Sequence, residues 1–191
     1  MRRKLTYKYQ MDFKGKPHQA AAAFMGGAFF LRIAYYFGFT RPEEAGFLNL
    51  LMYLILPLLI EGAFMVMIRG LRVNLSEAYT IMGAAYCIIL LLQSFQTGNL
   101  LRVILAVIAY LACAAALVGT GWGVLNKSLT TGILLVTLAV RLLVFDLSGY
   151  VFALRVIPFI REAAALCGIA SLACLSGGLK DKKRKKANPA E

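Results

Sequence analysis

Residues 101–118 read LRVILAVIAYLACAAALV, an unbroken apolar run in which Arg102, next to its start, carries the single charge. As a helix rising about 1.5 Å per residue, such a run is roughly 27 Å long, close to the hydrocarbon thickness of a bilayer. Five more apolar blocks flank it, at 20–39, 44–68, 74–95, 129–147 and 151–175. With 60% apolar and only 16% charged residues and a mean hydropathy of +0.72, the whole chain falls outside the range of soluble domains. The expected fold is therefore all-α: a polytopic integral membrane protein, a bundle of six transmembrane helices.

Turn chemistry separates the blocks. Thr40-Arg41-Pro42-Glu43 has capping-box spacing with Pro in the first turn, and Asn74-Leu75-Ser76-Glu77 repeats the acceptor-to-Glu spacing before the third block. Thr97-Gly98-Asn99 and Ser148-Gly149-Tyr150 allow reversals, and 119–128, with Gly119, Gly121, Gly123 and Trp122, is the longest internal connection, an interfacial turn anchored by its tryptophan. Pro57 and Pro158 remove backbone donors inside the second and sixth blocks, which predicts kinks or opened backbone close to charged residues.

The net charge of +12 belongs mostly to the two ends. Arg2, Arg3, Lys4, Lys8, Lys14 and Lys16 precede the first block, and Lys180, Lys182, Lys183, Arg184, Lys185 and Lys186 follow the last. Positive charge flanking spans is what the positive-inside rule expects, and it attracts anionic headgroups; no nucleic-acid partner is inferred. Six crossings with both basic ends in the cytoplasm also put Arg69, Arg72 and Lys127 inside, with Arg102 the one exception. The expected location is the plasma membrane, as a multi-pass protein of a bacterial cytoplasmic membrane. Three regions result: a basic and aromatic cytoplasmic interfacial segment at 1–19, the transmembrane domain at 20–179, and a disordered basic cytoplasmic tail at 180–191. Leu5 to Phe13 alternate with polar residues at a strand period, but an isolated strand is unstable, so headgroup contact is the expectation and a partner-binding arm its alternative.

Charges inside or at the ends of the blocks mark any functional site. A charge in hydrocarbon costs roughly 3 kcal/mol on insertion scales, so it faces protein, a partner charge or a wet cavity. The set is Arg32, Glu61, Arg141, Asp146, Arg155, Arg161 and Glu162. Estimated depths divide it into an outer cluster, in which four arginines exceed two acids, and a separate Glu61 on the inner side. The outer excess of positive charge suits a small anionic or zwitterionic ligand. The structural alternative pairs Arg141 with Asp146 or Glu162 and Arg161 with Glu61 or a carbonyl, while Arg32 and Arg155 snorkel outward.

Small residues spaced for close helix packing are Ala22, Ala23, Gly26 and Gly27 in the first block, Ala112 and Ala116 in the fourth, and Ala164 and Gly168 in the sixth. Catalytic signatures are missing. His18 is the lone histidine, and Cys87, Cys113, Cys167 and Cys174 form no CxxC pair, so no metal, cofactor or disulfide is expected. There is neither a GxSG nucleophile turn nor a phosphate-binding Gly-rich loop. An enzyme is thus the least supported class, reduced to lipid chemistry on Glu61 or Glu162. A solute-binding or transport component with an outward-opening Arg-rich site comes first, and a non-catalytic accessory or assembly subunit of a larger membrane complex is the alternative.

In size, six-span count, cytoplasmic ends and the Ala22, Ala23, Gly26 and Gly27 start of its first helix, the chain distantly resembles the substrate-capturing subunits of energy-coupling-factor vitamin transporters. The resemblance covers architecture only. Those subunits have a clearer Ala-x-x-x-Ala docking face and longer outer loops, and the resemblance implies no binding residues here.

Overall fold

Residues 9–11, 15–39, 46–68, 75–95, 100–144 and 156–181 are described by the computed structural model, and among them lie six helices and one short β-ladder. Helix α1 is Lys16–Phe39. Helix α2 runs without a break through Phe47–Leu50, a π-helical turn Leu51–Ile55 and Leu56–Ile68. Then come α3 (Leu75–Ser94), α4 (Leu100–Gly121), α5 (Lys127–Val144) and α6 (Val156–Gly177). Three of these contain stretches long and apolar enough to cross a membrane, Lys16–Phe37, Leu100–Gly121 and Phe159–Gly177, while Leu51–Met67 and Tyr79–Ser94 are shorter apolar helices.

Local chemistry explains where the helices depart from the expected blocks. Helix α1 starts four residues before position 20, because the Gly15 carbonyl accepts the His18 and Gln19 amides at 3.0 and 3.3 Å and Pro17 falls in the first turn, where a missing N–H leaves no gap. Helix α4 continues to Gly121, then turns back through Gly123 at φ 72°, while the Gly119 carbonyl accepts Val124 and Leu125 at 2.8 and 3.1 Å. A side chain at Gly119 would crowd Leu125, so the turn is a wound structure with a required glycine. Pro158 lies in the first described turn of α6 instead of mid-helix. The Thr40–Glu43 box and the reversals at 97–99 and 148–150 lie outside the described residues.

Pro57 has the effect that its chemistry predicts. The Leu56 amide reaches back five residues to the Leu51 carbonyl, and Pro57 has no amide to follow it. The carbonyls of Met52 and Tyr53, five and four residues earlier, are left without their helical donors. Both are taken by side chains of other helices: Gln93 Nε2 donates to Met52 at 2.8 Å and Arg32 Nη1 to Tyr53 at 3.2 Å.

Helix α1 packs along α6 and α2, α3 along α4, and α5 against α4 and α6. Met25, Phe64, Tyr79, Tyr86, Leu90, Leu117, Leu134, Ile169 and Leu172 fill the space between them. Charged and polar side chains are buried in this apolar interior while large apolar side chains face outward: Arg32, Glu61, Arg141, Glu162 and Gln93 are buried, whereas Phe30, Phe37, Leu59, Ile81, Ile108 and Leu143 are exposed. Water would penalise that exterior at roughly 25 cal/mol per Å² of apolar surface, and lipid would not.

At one end of the bundle Tyr9–Met11 (β1) pairs antiparallel with Leu179–Asp181 (β2), Gln10 opposite Lys180. Within the alternating stretch expected to rest among headgroups, Tyr9–Met11 is instead a paired strand, and its partner is the end of the same domain. The ladder takes Lys180 and Asp181 out of the expected disordered tail; 182–191 lies outside the described residues. Lys127 Nζ donates to the Leu179 carbonyl and fastens the ladder to the start of α5.

Candidate functional site

Two buried ion pairs organise the interior, each carried by consecutive helices. Between α1 and α2, Arg32 Nε donates to Glu61 Oε1 at 2.6 Å, with the two side chains 2% and 0% exposed. Tyr86 of α3 donates its hydroxyl to the same Oε1 at 2.9 Å and accepts Arg32 Nη2 at 3.3 Å. With Nη1 on the Tyr53 carbonyl, three edges of the guanidinium are satisfied. Glu61 is less fully served, because its Oε2 is buried with no hydrogen-bond partner.

Between α5 and α6, Arg141 Nη2 and Nε both donate to Glu162 Oε2, at 2.6 and 3.0 Å, and Nη1 donates to the Tyr110 hydroxyl of α4. Arg161 approaches the other oxygen, Glu162 Oε1, at 3.7 Å. Its guanidinium lies 5.0 Å from the centroid of the Tyr53 ring, a cation–π arrangement, and it is 29% exposed. Tyr53 thus joins the two pairs: its carbonyl holds Arg32, its ring faces Arg161, and its hydroxyl donates to the Gln93 carbonyl at 3.2 Å.

These contacts revise the division by depth. Glu61 is not apart from the outer cluster; it is the direct partner of Arg32, which neither snorkels nor stands alone. Arg161 goes to Glu162 and not to Glu61, and Arg141 pairs with Glu162. Asp146 and Arg155 lie outside the described residues. Among the described residues of the set, Arg141 and Arg161 both engage Glu162, and Arg161 is the partly exposed one.

Small residues divide by surroundings. Ala164 and Gly168 are buried on α6, and a methyl group at Gly168 would overlap the Tyr86 hydroxyl and ring. That glycine makes room for the phenol that bridges Arg32 and Glu61. Gly26 abuts Met65 and Gly27 faces Cys167, with Ala22 half-buried, whereas Ala23 and Ala112 are exposed and Ala116 is buried. Ser171 Oγ donates to the Ala21 carbonyl at 2.7 Å across the α1–α6 seam.

Comparison of the chain with protein-family models, with curated proteins and with solved structures returns no match. Nothing outside the chain therefore assigns roles to these residues. Among the described residues no group of three or more His, Cys, Asp or Glu side chains is placed to hold a metal. Cys87, Cys113, Cys167 and Cys174 are free thiols, and Cys113 lies 3.0 Å from the Thr137 hydroxyl. Arg141 also lines a cleft with Arg102, Tyr110, Thr137 and Val140, which has room for about one water molecule, far below the 300 Å³ or more of a usual ligand site.

Sequence reasoning missed the tyrosines and Gln93. Tyr79, Tyr86 and Gln93 are seven residues apart on α3 and so share one face. All three donate across a helix seam: Tyr79 to the Leu172 carbonyl at 3.0 Å, Tyr86 to Glu61 and Gln93 to Met52. Polar-tipped residues at heptad spacing in an apolar helix were the available signal.

Proposed function

We propose that the chain is a six-span plasma-membrane protein with both ends in the cytoplasm, acting as the solute-binding or transport component for a small anionic or zwitterionic ligand. The observation that carries this reading is the Arg161 guanidinium, partly exposed, held over the Tyr53 ring and 3.7 Å from a Glu162 carboxylate that Arg141 also engages. Such a group can offer paired donors to a phosphate or carboxylate without giving up its own support. An even number of crossings is supported by the β1–β2 ladder, which pairs residues 9–11 with 179–181 at one end of the bundle.

Thermal stabilisation of the purified protein by a panel of small phosphates, carboxylates and zwitterionic amino acids tests it. At least one compound should raise the melting temperature, and Arg161→Ala should abolish that rise while leaving the amount of folded protein in the membrane unchanged. A rise that survives in Arg161→Ala removes Arg161 from the site. The second reading, an accessory subunit of a larger membrane complex, is favoured by the water-sized cleft beside Arg141. It predicts no stabilisation by any compound and recovery of a stoichiometric membrane partner in mild detergent, weakened by deletion of 182–191.

A further inference from the structure

The two carboxylates of the interior are not equivalent. Both oxygens of Glu162 face guanidiniums, Oε2 that of Arg141 and Oε1 that of Arg161. Glu61 receives Arg32 Nε and the Tyr86 hydroxyl on Oε1 alone, and Oε2 has no donor although the side chain is fully buried. A bare, buried carboxylate oxygen forfeits its solvation, most of all when charged, and a proton on that oxygen removes the charge responsible.

The surroundings are built to survive that change. When Glu61 becomes neutral, Oε1 remains an acceptor for Arg32 Nε. The other two edges of the guanidinium keep the Tyr53 carbonyl, freed by Pro57, and the Tyr86 hydroxyl. The positive charge left on Arg32 thus stays solvated by protein dipoles. The titratable groups facing Glu61 are Arg32 from α1, Tyr86 from α3 and Cys167 from α6.

We propose that Glu61 is a reversible proton-binding site within the membrane domain, taking one proton on Oε2 while Arg32 and Tyr86 stay in place. The step is a simple association of one proton with one carboxylate, and it is independent of the anion-binding reading of Arg161. Intramembrane acids in such positions serve proton relays and proton coupling.

Infrared difference spectroscopy of the full-length protein in lipid vesicles, titrated from roughly pH 4 to pH 9, tests it. A carboxylic C=O stretching band equivalent to one group should grow reversibly as the pH falls, vanish in Glu61→Gln and persist in Glu162→Gln. Where Glu61→Gln fails to fold, Glu61→Asp should keep the band at a shifted position. A band that is absent throughout, does not change with pH, persists in Glu61→Gln, vanishes in Glu162→Gln, or stays unshifted in Glu61→Asp overturns the proposal.

Discussion

The Arg32–Glu61 and Arg141–Glu162 pairs are alike in distance and burial but opposite in how their charges are shared. In the first, one arginine is held by three acceptors and the acid is left with an unserved oxygen. In the second, one acid meets two arginines, one on each of its oxygens. A salt bridge in lipid is therefore defined less by its two charges than by what satisfies the remaining donors and acceptors.

The largest expected effect breaks the first pair. Arg32→Ala leaves Glu61 with Tyr86 as its donor and should destabilise by about 3–5 kcal/mol, read as loss of folded protein in detergent melting. Arg141→Ala leaves Arg161 beside Glu162 and should cost less, about 1–3 kcal/mol in the same assay. Equal losses would mean that Arg161 does not compensate. Gly168→Ala forces a methyl group into Tyr86 and should destabilise by about 1–3 kcal/mol, while Gly27→Ala, whose new methyl would meet Cys167 Sγ at 3.9 Å, should change the melting temperature little. Tyr110→Phe removes one donor–acceptor contact of Arg141 and should cost about 1 kcal/mol. The smallest effect is Arg161→Ala, below about 1 kcal/mol, because the side chain is partly exposed and 3.7 Å from its acid.

The helical membrane class was legible in the apolar blocks, and the opened backbone in Pro57, because both follow from local chemistry: hydrocarbon length and a missing amide. The residues to be paired were legible too, since charges in apolar helices advertise themselves. Which charge meets which was not. Depth counted from sequence-drawn block ends is a poor ruler, since it set Arg32 and Glu61 apart and they pair, and rotation about the helix axis is set by packing that no single helix encodes. The neutral partners stayed hidden because Tyr53, Tyr86 and Tyr110 look like interface aromatics until the seams are known. The β1–β2 ladder was half visible: alternation has the period of a strand, but an isolated strand is unstable and its partner lies 170 residues along the chain, Gln10 to Lys180.

Each ion pair closes within one helical hairpin, 29 residues apart for Arg32 and Glu61 and 21 for Arg141 and Glu162, while the α1–α6 seam joins Ser171 to Ala21 across 150. Along the chain each buried charge thus finds its partner early, whereas the Ala21 carbonyl gains its Ser171 donor only once the last described helix is made.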